Sequence, residues 1–306
     1  MSLLQKTLES GAFAVTAEMA PPKGSDFSGV LETANLLTGM VHGINVTDMQ
    51  SACLKASSLG LCIQLKQAGA EPILQVTGRD RNRMAILADM LSAASFGIDT
   101  MLALTGEHPV VGDCREAKPV YDLDSVGILR MLSRVEQTDC DCGGNPLTSP
   151  SPKFFKGAAV TPVYEPMVLQ IAKLRQKVDA GAQYLQTQGI FDMESLKRFL
   201  DAMDKADIHV PVMAGIIPLK SAGMAKYMNE NVPGISVPQS QIDALEAAAE
   251  EGKRLGVKGL PGKLGCELAA ELIGKIKEED LCAGVHIMAI GAEAKIPEIL
   301  QTAGIG

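Results

Sequence analysis

Eight short β-rich runs alternate with longer segments of helical periodicity, and several of the runs are almost continuously apolar, as in MLAL and GVHIMAI. This pattern predicts an α/β fold, a TIM (β/α)8 barrel of parallel strands buried on both faces. A further observation favours the barrel over an open doubly wound sheet. No glycine-rich dinucleotide turn follows an early strand.

In chain order, strands are expected at 12–17, 43–47, 72–76, 100–104, 157–160, 184–187, 210–215 and 284–290. Helices are expected between them wherever apolar residues recur at helical spacing. Ile86, Met90, Ala93 and Ala94 form one such face, interrupted by Asp89, and Met167, Ile171, Leu174 and Val178 form another. Two stretches break the rhythm. Residues 106–152 are long for a strand–helix connection and end in turn chemistry, CDCGGNPLTSPSP. Residues 238–280 hold two helical segments divided by Gly256, Gly259, Gly262 and Gly265, read as an inter-helix loop because their spacing matches neither common nucleotide motif. The expectation is one barrel domain over residues 1–306, with a long insertion after strand 4 and extra helices before strand 8.

The chain has 306 residues, 46% hydrophobic and 21% charged, which supports an aliphatic core and excludes a disordered or fibrous chain. Lys plus Arg (28) against Asp plus Glu (36) leaves a formal charge of −8. That balance argues against a broad nucleic-acid interface and leaves room for a small basic pocket. Membrane insertion is not expected, since Asp89 and Asp99 interrupt the most apolar region, 86–104. The N-terminus, with Lys6 and Glu9, lacks signal-peptide order. Seven scattered cysteines, an odd number, suit a reducing cytoplasm better than a secreted disulfide framework. Cys114, Cys140 and Cys142, with His108 as a fourth candidate ligand, lack C-x-x-C pairing and are expected to be ordinary thiols, with no metal site.

Polar residues collect at the ends of the expected strands: Glu18 after the first, Thr47 and Asp48 after the second, Thr77, Gly78 and Arg79 after the third. Thr105, Gly106 and Glu107 follow the fourth, Thr161 the fifth, and Gln186, Thr187 and Gln188 close the sixth. In a barrel these positions converge on the C-terminal rim, where catalytic groups sit. Carboxylate, amide and hydroxyl groups on one rim describe a site for a polar heterocycle.

The segments FAVTAEMAPPKG, MLALTGEHPVVGD with AKPVYDLDSV after it, and GAAVTP followed by KLRQKVDAGAQYLQTQGIFD resemble the methylenetetrahydrofolate reductase family, most closely its short bacterial form found in anaerobes. The resemblance runs from about residue 10 to residue 303 with the motifs in family order. It implies a TIM barrel holding a flavin, FAD or FMN, that passes hydride to 5,10-methylenetetrahydrofolate and yields 5-methyltetrahydrofolate. Glu18 matches the family's catalytic glutamate. A carboxylic acid belongs there because opening the imidazolidine ring needs a proton on N10, leaving an electrophilic iminium at N5. Glu107 stands where the family usually has an aspartate, reaching both flavin and pterin, and so joins Glu18 as a catalytic and substrate-binding candidate. Gln188 matches a glutamine that bonds the pterin, for which an amide offers donor and acceptor together.

For the flavin, the resemblance implies Thr47, Gln75, Thr105, Gly106, Glu107, Thr161 and Lys177. Gln75, Thr105 and Thr161 replace a histidine, an arginine and a tyrosine of better-known members, and Gln176 replaces an arginine beside Lys177. Lys173 and Lys177, one turn apart, are read equally well as a phosphate cradle and as a solvated helix face. The electron donor stays open between NAD(P)H and an iron–sulfur or flavin partner subunit, as does homo-oligomer against hetero-complex. Two other readings of the chain are a pterin-binding methyltransferase and a non-catalytic subunit of an electron-transfer complex.

Overall fold

Alternation along the strands decides what fills the interior. A strand points successive side chains to opposite faces, so in a closed parallel barrel every second residue enters the lumen and the others meet the surrounding helices. The structure, a computed structural model, describes residues 1–305. Its elements run α1 (Leu3–Glu9), β1 (Ala14–Met19), α2 (Ser28–Leu37), β2 (Gly43–Val46), α3 (Ser58–Gln67), β3 (Pro72–Thr77), α4 (Arg83–Ser95) and β4 (Thr100–Leu104). They continue with α5 (Ser125–Thr138), β5 (Phe155–Val160), α6 (Met167–Asp179), β6 (Tyr184–Ile190), α7 (Met193–Lys205), β7 (Val212–Ile216), α8 (Ala222–Asn231), α9 (Gln239–Leu255), α10 (Leu260–Glu278), β8 (Gly284–Ile287) and α11 (Ile296–Thr302). The strands pair in parallel in chain order, and β8 closes on β1. The expected (β/α)8 barrel is therefore the fold.

Three apolar clusters hold it together. The largest lies between the strands' outer faces and the helices, with Leu61, Ile86, Leu129, Leu174, Phe199 and Ile273 among its buried members. A second supports α8 and α9 through Leu219, Met228 and Leu245. The third fills the lower lumen, where Ile73, Leu102, Phe155, Tyr184 and Met213 meet Leu4 and Leu8 of α1. Phe155 and Tyr184 stack with centroids 4.8 Å apart, and the Tyr184 hydroxyl donates to the Met101 carbonyl at 3.1 Å. Gly157 leaves space for that ring, since a Cβ there would lie 2.3 Å from Tyr184.

Several boundaries differ from the sequence expectation. β1 extends to Met19 and β6 to Ile190, so Glu18 and Gln188 stand within strands rather than beyond them. β8 stops at Ile287, short of the expected Ile290, which has φ 48° and is 45% exposed as the chain turns away at Gly291. Gly262 and Gly265 lie inside α10, and only Gly256 and Gly259, both with positive φ, make the loop. Gly265 is needed for contact: a Cβ there would sit 1.8 Å from the Leu219 carbonyl oxygen. The insertion after β4 contains α5, which is the barrel's own helix at that position. Among the described residues, no helix is long and apolar enough to cross a membrane.

Candidate active site

Strand alternation places Thr16 and Glu18 of β1, Asn45 of β2, Gln75 and Thr77 of β3, Gln186 and Gln188 of β6, and His286 of β8 towards the lumen, above the apolar plug. Over them opens a cavity of about 320 Å³ at the C-terminal rim. Glu18, Gln75, Thr105, Gly106, Glu107, Thr161 and Gln188 all line it, together with Asp48, Gln186, His286 and Met288. Seven of the sequence-predicted site residues thus share one cavity. Thr47 does not line it: the residue is buried and its hydroxyl has no hydrogen-bond partner. Lys173 and Lys177 stand outside on α6, but Lys177 reaches in far enough to donate from Nζ to the carbonyl of Ala159, a residue of the cavity wall, at 2.5 Å. Burial, then the neighbouring Lys173 cation, hold the Lys177 ammonium below the ordinary lysine value.

Glu18 keeps only 12% of its side-chain surface exposed. Its Oε2 accepts from Gln75 Nε2 at 3.1 Å and lies 3.6 Å from His286 Nε2. Arg79, a cation on the same rim, does not pair with Glu18 and is engaged elsewhere. The Arg79 side chain is 2% exposed, grips both carboxylate oxygens of Asp80, and donates to the Met49 carbonyl at 3.1 Å and the Glu107 carbonyl at 3.3 Å. Its Nη1 also lies 3.8 Å from Glu107 Oε2, so a buried cation holds the Glu107 backbone while leaving a side chain 57% exposed at the mouth.

Asp48, next to Thr47, anchors the floor of the rim. One carboxylate oxygen accepts from the Thr77 amide and hydroxyl, each at 2.8 Å, and from Arg81, while Ser58 donates to the other at 3.3 Å. Arg81 continues the chain of charges to Asp89 at 2.9 Å. The segment after Asp48 turns through Met49, Ser51 and Ala52, all with positive φ, an unusual run for non-glycine residues. Gly106 has φ 86°, and its carbonyl accepts from the Tyr121 hydroxyl at 3.1 Å. Thr105 accepts the amide of Ser125, the first residue of α5, at 3.1 Å, so its hydroxyl ties strand to insertion. Gln188 falls in the β6–β7 register shift, and its side-chain oxygen accepts from the Gly189 amide at 3.2 Å.

Of the lumen layer beneath Glu18, sequence reasoning named only Gln186 and missed His286, Thr16 and Asn45. All four are buried, with Thr16 Oγ1 3.0 Å and Asn45 Nδ2 3.4 Å from His286 Nδ1, and Gln186 Nε2 3.5 Å from Thr16 Oγ1. Polar residues at alternate positions within apolar strand runs were the available signal. Among the described residues no group of three or more His, Cys, Asp and Glu could hold a metal ion. Cys142 instead packs against Met131 at 3.5 Å, and burial pushes its thiol up.

The sequence profile of the methylenetetrahydrofolate reductase family matches residues 3–304. A probable methylenetetrahydrofolate reductase (NADPH) of Caenorhabditis elegans is 23% identical over 83% of this chain and 34% of its own length. Methylenetetrahydrofolate reductase 2 of Schizosaccharomyces pombe is 25% identical over 100% of this chain and 47% of its own. A 5,10-methylenetetrahydrofolate reductase of Pectobacterium carotovorum is 24% identical over 80% of this chain and 78% of that protein. The chain spans only about a third to a half of the two eukaryotic relatives. With a match over nearly every residue, the chain belongs to the methylenetetrahydrofolate reductase family.

Proposed function

We propose that the protein reduces 5,10-methylenetetrahydrofolate to 5-methyltetrahydrofolate, with a flavin as hydride carrier and Glu18 as general acid. One observation carries this reading: the Glu18 carboxyl, largely buried, stands in the same cavity as Gln188 and Glu107. Protonation of N10 needs an acid close to the ring and shielded from bulk water, and Glu18 Oε2 is already held by Gln75. Gln188 is at the mouth to pair with a pterin edge through its amide, and Glu107 offers an acceptor to the pterin's N–H groups.

The residues present fit a flavin. Gln75, Thr77 and Thr161 supply amide and hydroxyl groups of both polarities to the cavity wall. Lys177 is a desolvated cation whose partner is a neutral carbonyl, leaving its charge available to a phosphate, with Lys173 one turn away. A bound flavin, FAD in our reading and FMN as the alternative, supplies hydride to the substrate's methylene carbon. Electrons reach it from NAD(P)H or from a partner subunit carrying iron–sulfur or flavin centres.

The test is Glu18→Gln. The variant is expected to keep its flavin and lose ~10²–10⁴ in folate reduction. Near-normal turnover would remove Glu18 from the chemistry. Identifying the cofactor released on denaturation, and comparing NADH, NADPH and an artificial dye as donors, tests the rest. A colourless protein that still binds folate would instead support the methyltransferase reading.

A further inference from the structure

We propose that His286 is a positioning residue that determines which oxygen of Glu18 carries the transferable proton. This rests on the reading of Glu18 as the acid. His286 is 2% exposed, in the lumen directly below Glu18. On its Nδ1 side the Thr16 hydroxyl stands at 3.0 Å and the Asn45 amide nitrogen at 3.4 Å. Thr16 Oγ1 already accepts from Gln186 Nε2 at 3.5 Å, so its own hydrogen is free to point at Nδ1. The carboxyl oxygen facing Nε2 selects the tautomer with its hydrogen there, which leaves Nδ1 as the lone-pair nitrogen that accepts from the Thr16 hydroxyl. Nε2 faces Glu18 Oε2 at 3.6 Å, a separation that a small rotation shortens.

Oε2 then receives two N–H groups, one from Gln75 and one from His286. An oxygen that accepts twice is a poor place for a carboxyl hydrogen, so the acidic proton sits on Oε1. Among the described residues Oε1 accepts no hydrogen bond, and the side chain lines the cavity. Once that proton leaves, the same two N–H groups stabilise the carboxylate left behind. The groups facing the ring are Thr16 and Glu18 from β1, Asn45 from β2 and, through Thr16, Gln186 from β6; β7 presents Gly215 and no side chain. Glu18 is the titratable group among them.

The tautomer can be observed without turnover. In protein labelled with ¹⁵N-histidine, the His286 signals are those that disappear in His286→Gln, separating them from His42, His108 and His209. We expect the ring to carry its hydrogen on Nε2 and not on Nδ1, and Thr16→Val to disturb that preference. A ring protonated at Nδ1, or at both nitrogens, overturns the inference while leaving the acid role of Glu18 standing. In turnover, His286→Phe is expected to lower kcat of folate reduction about tenfold and change KM by less than about twofold, the loss of one hydrogen bond to a charged group. His286→Gln, which retains a donor, should recover most of the loss. Unchanged kcat in His286→Phe, or equal losses in both variants, overturns the proposal. Should either variant fail to fold, the wild-type tautomer decides, with the His286 signals identified as those that persist when His42, His108 and His209 are replaced.

Discussion

Asp48 illustrates how a rim side chain can be structural and still matter to chemistry. Its carboxylate is 1% exposed and collects the Thr77 amide, two hydroxyls and Arg81, joining the ends of β2 and β3. Asp48→Asn removes the charge that balances Arg81 and turns one acceptor into a donor facing other donors. We expect a loss of about 2–4 kcal/mol, seen as a lower urea midpoint. An unchanged midpoint would mean that Arg81 finds Asp89 sufficient. The rim residues Glu18, Glu107, Thr161 and Gln188 were legible in the sequence because they sit at or near strand ends, where polar residues interrupt apolar runs, whereas Gln75 was marked by the family resemblance alone. His286 and Asn45 were not, because they lie among Val285, Ile287, Ile44 and Val46 and the runs read as uniformly apolar. The lumen of this barrel is polar in its upper half, and only the period-2 alternation reveals it.

At the scale of elements, α10 shows why glycine in a helix can mislead. Gly262 and Gly265 were expected in the inter-helix loop with Gly256 and Gly259, yet both are helical. Packing decides: Gly265 lets α10 approach the backbone of Leu219. The two positions predict opposite outcomes. Gly265→Ala places a methyl 1.8 Å from the Leu219 carbonyl oxygen and should destabilise by about 1–3 kcal/mol despite alanine's better helix propensity. Gly262→Ala meets nothing nearer than 3.8 Å and should stabilise by up to about 1 kcal/mol. Thermal melts of the pair check both signs, and a stabilised Gly265→Ala would refute the close-approach account. The number and order of strands were legible because buried parallel strands are predominantly apolar. Their exact ends were not, since β1 and β6 continue through Glu18 and Gln188, polar residues that the lumen accommodates.

For the whole molecule, the insertion and the barrel are held by different forces. The barrel, α5 included, rests on apolar burial, whereas the segments on either side of α5 are pinned by Asp113 to Lys23 and the Leu54 amide, Asp122 to Arg83, Asp139 to the Ser151 amide, and Asp141 to Asn145. Side-chain or backbone hydrogen bonds lower all four pKa values, Asp122 to about 2. A carboxylate with a depressed folded pKa binds fewer protons than when detached. Each contribution is therefore full above the ordinary value of 3.8 and fades as the pH falls below it, that of Asp122 as the pH approaches about 2. Acid should loosen 106–123 and 139–152 before it opens the barrel. Brief pepsin digestion near pH 3 should cut within those segments and leave the strands intact, and simultaneous cleavage throughout would refute the separation.

The stacked rings of Phe155 and Tyr184, with α1 beneath them, carry a last consequence. They stopper the barrel from below, so the single doorway to the reacting groups is the rim. On the function proposed above, the electron donor and the one-carbon carrier would both have to pass that way, like traffic on a one-lane bridge. A small molecule wedged between Glu107 and Gln188 would halt both kinds of visitor at once, without touching Glu18.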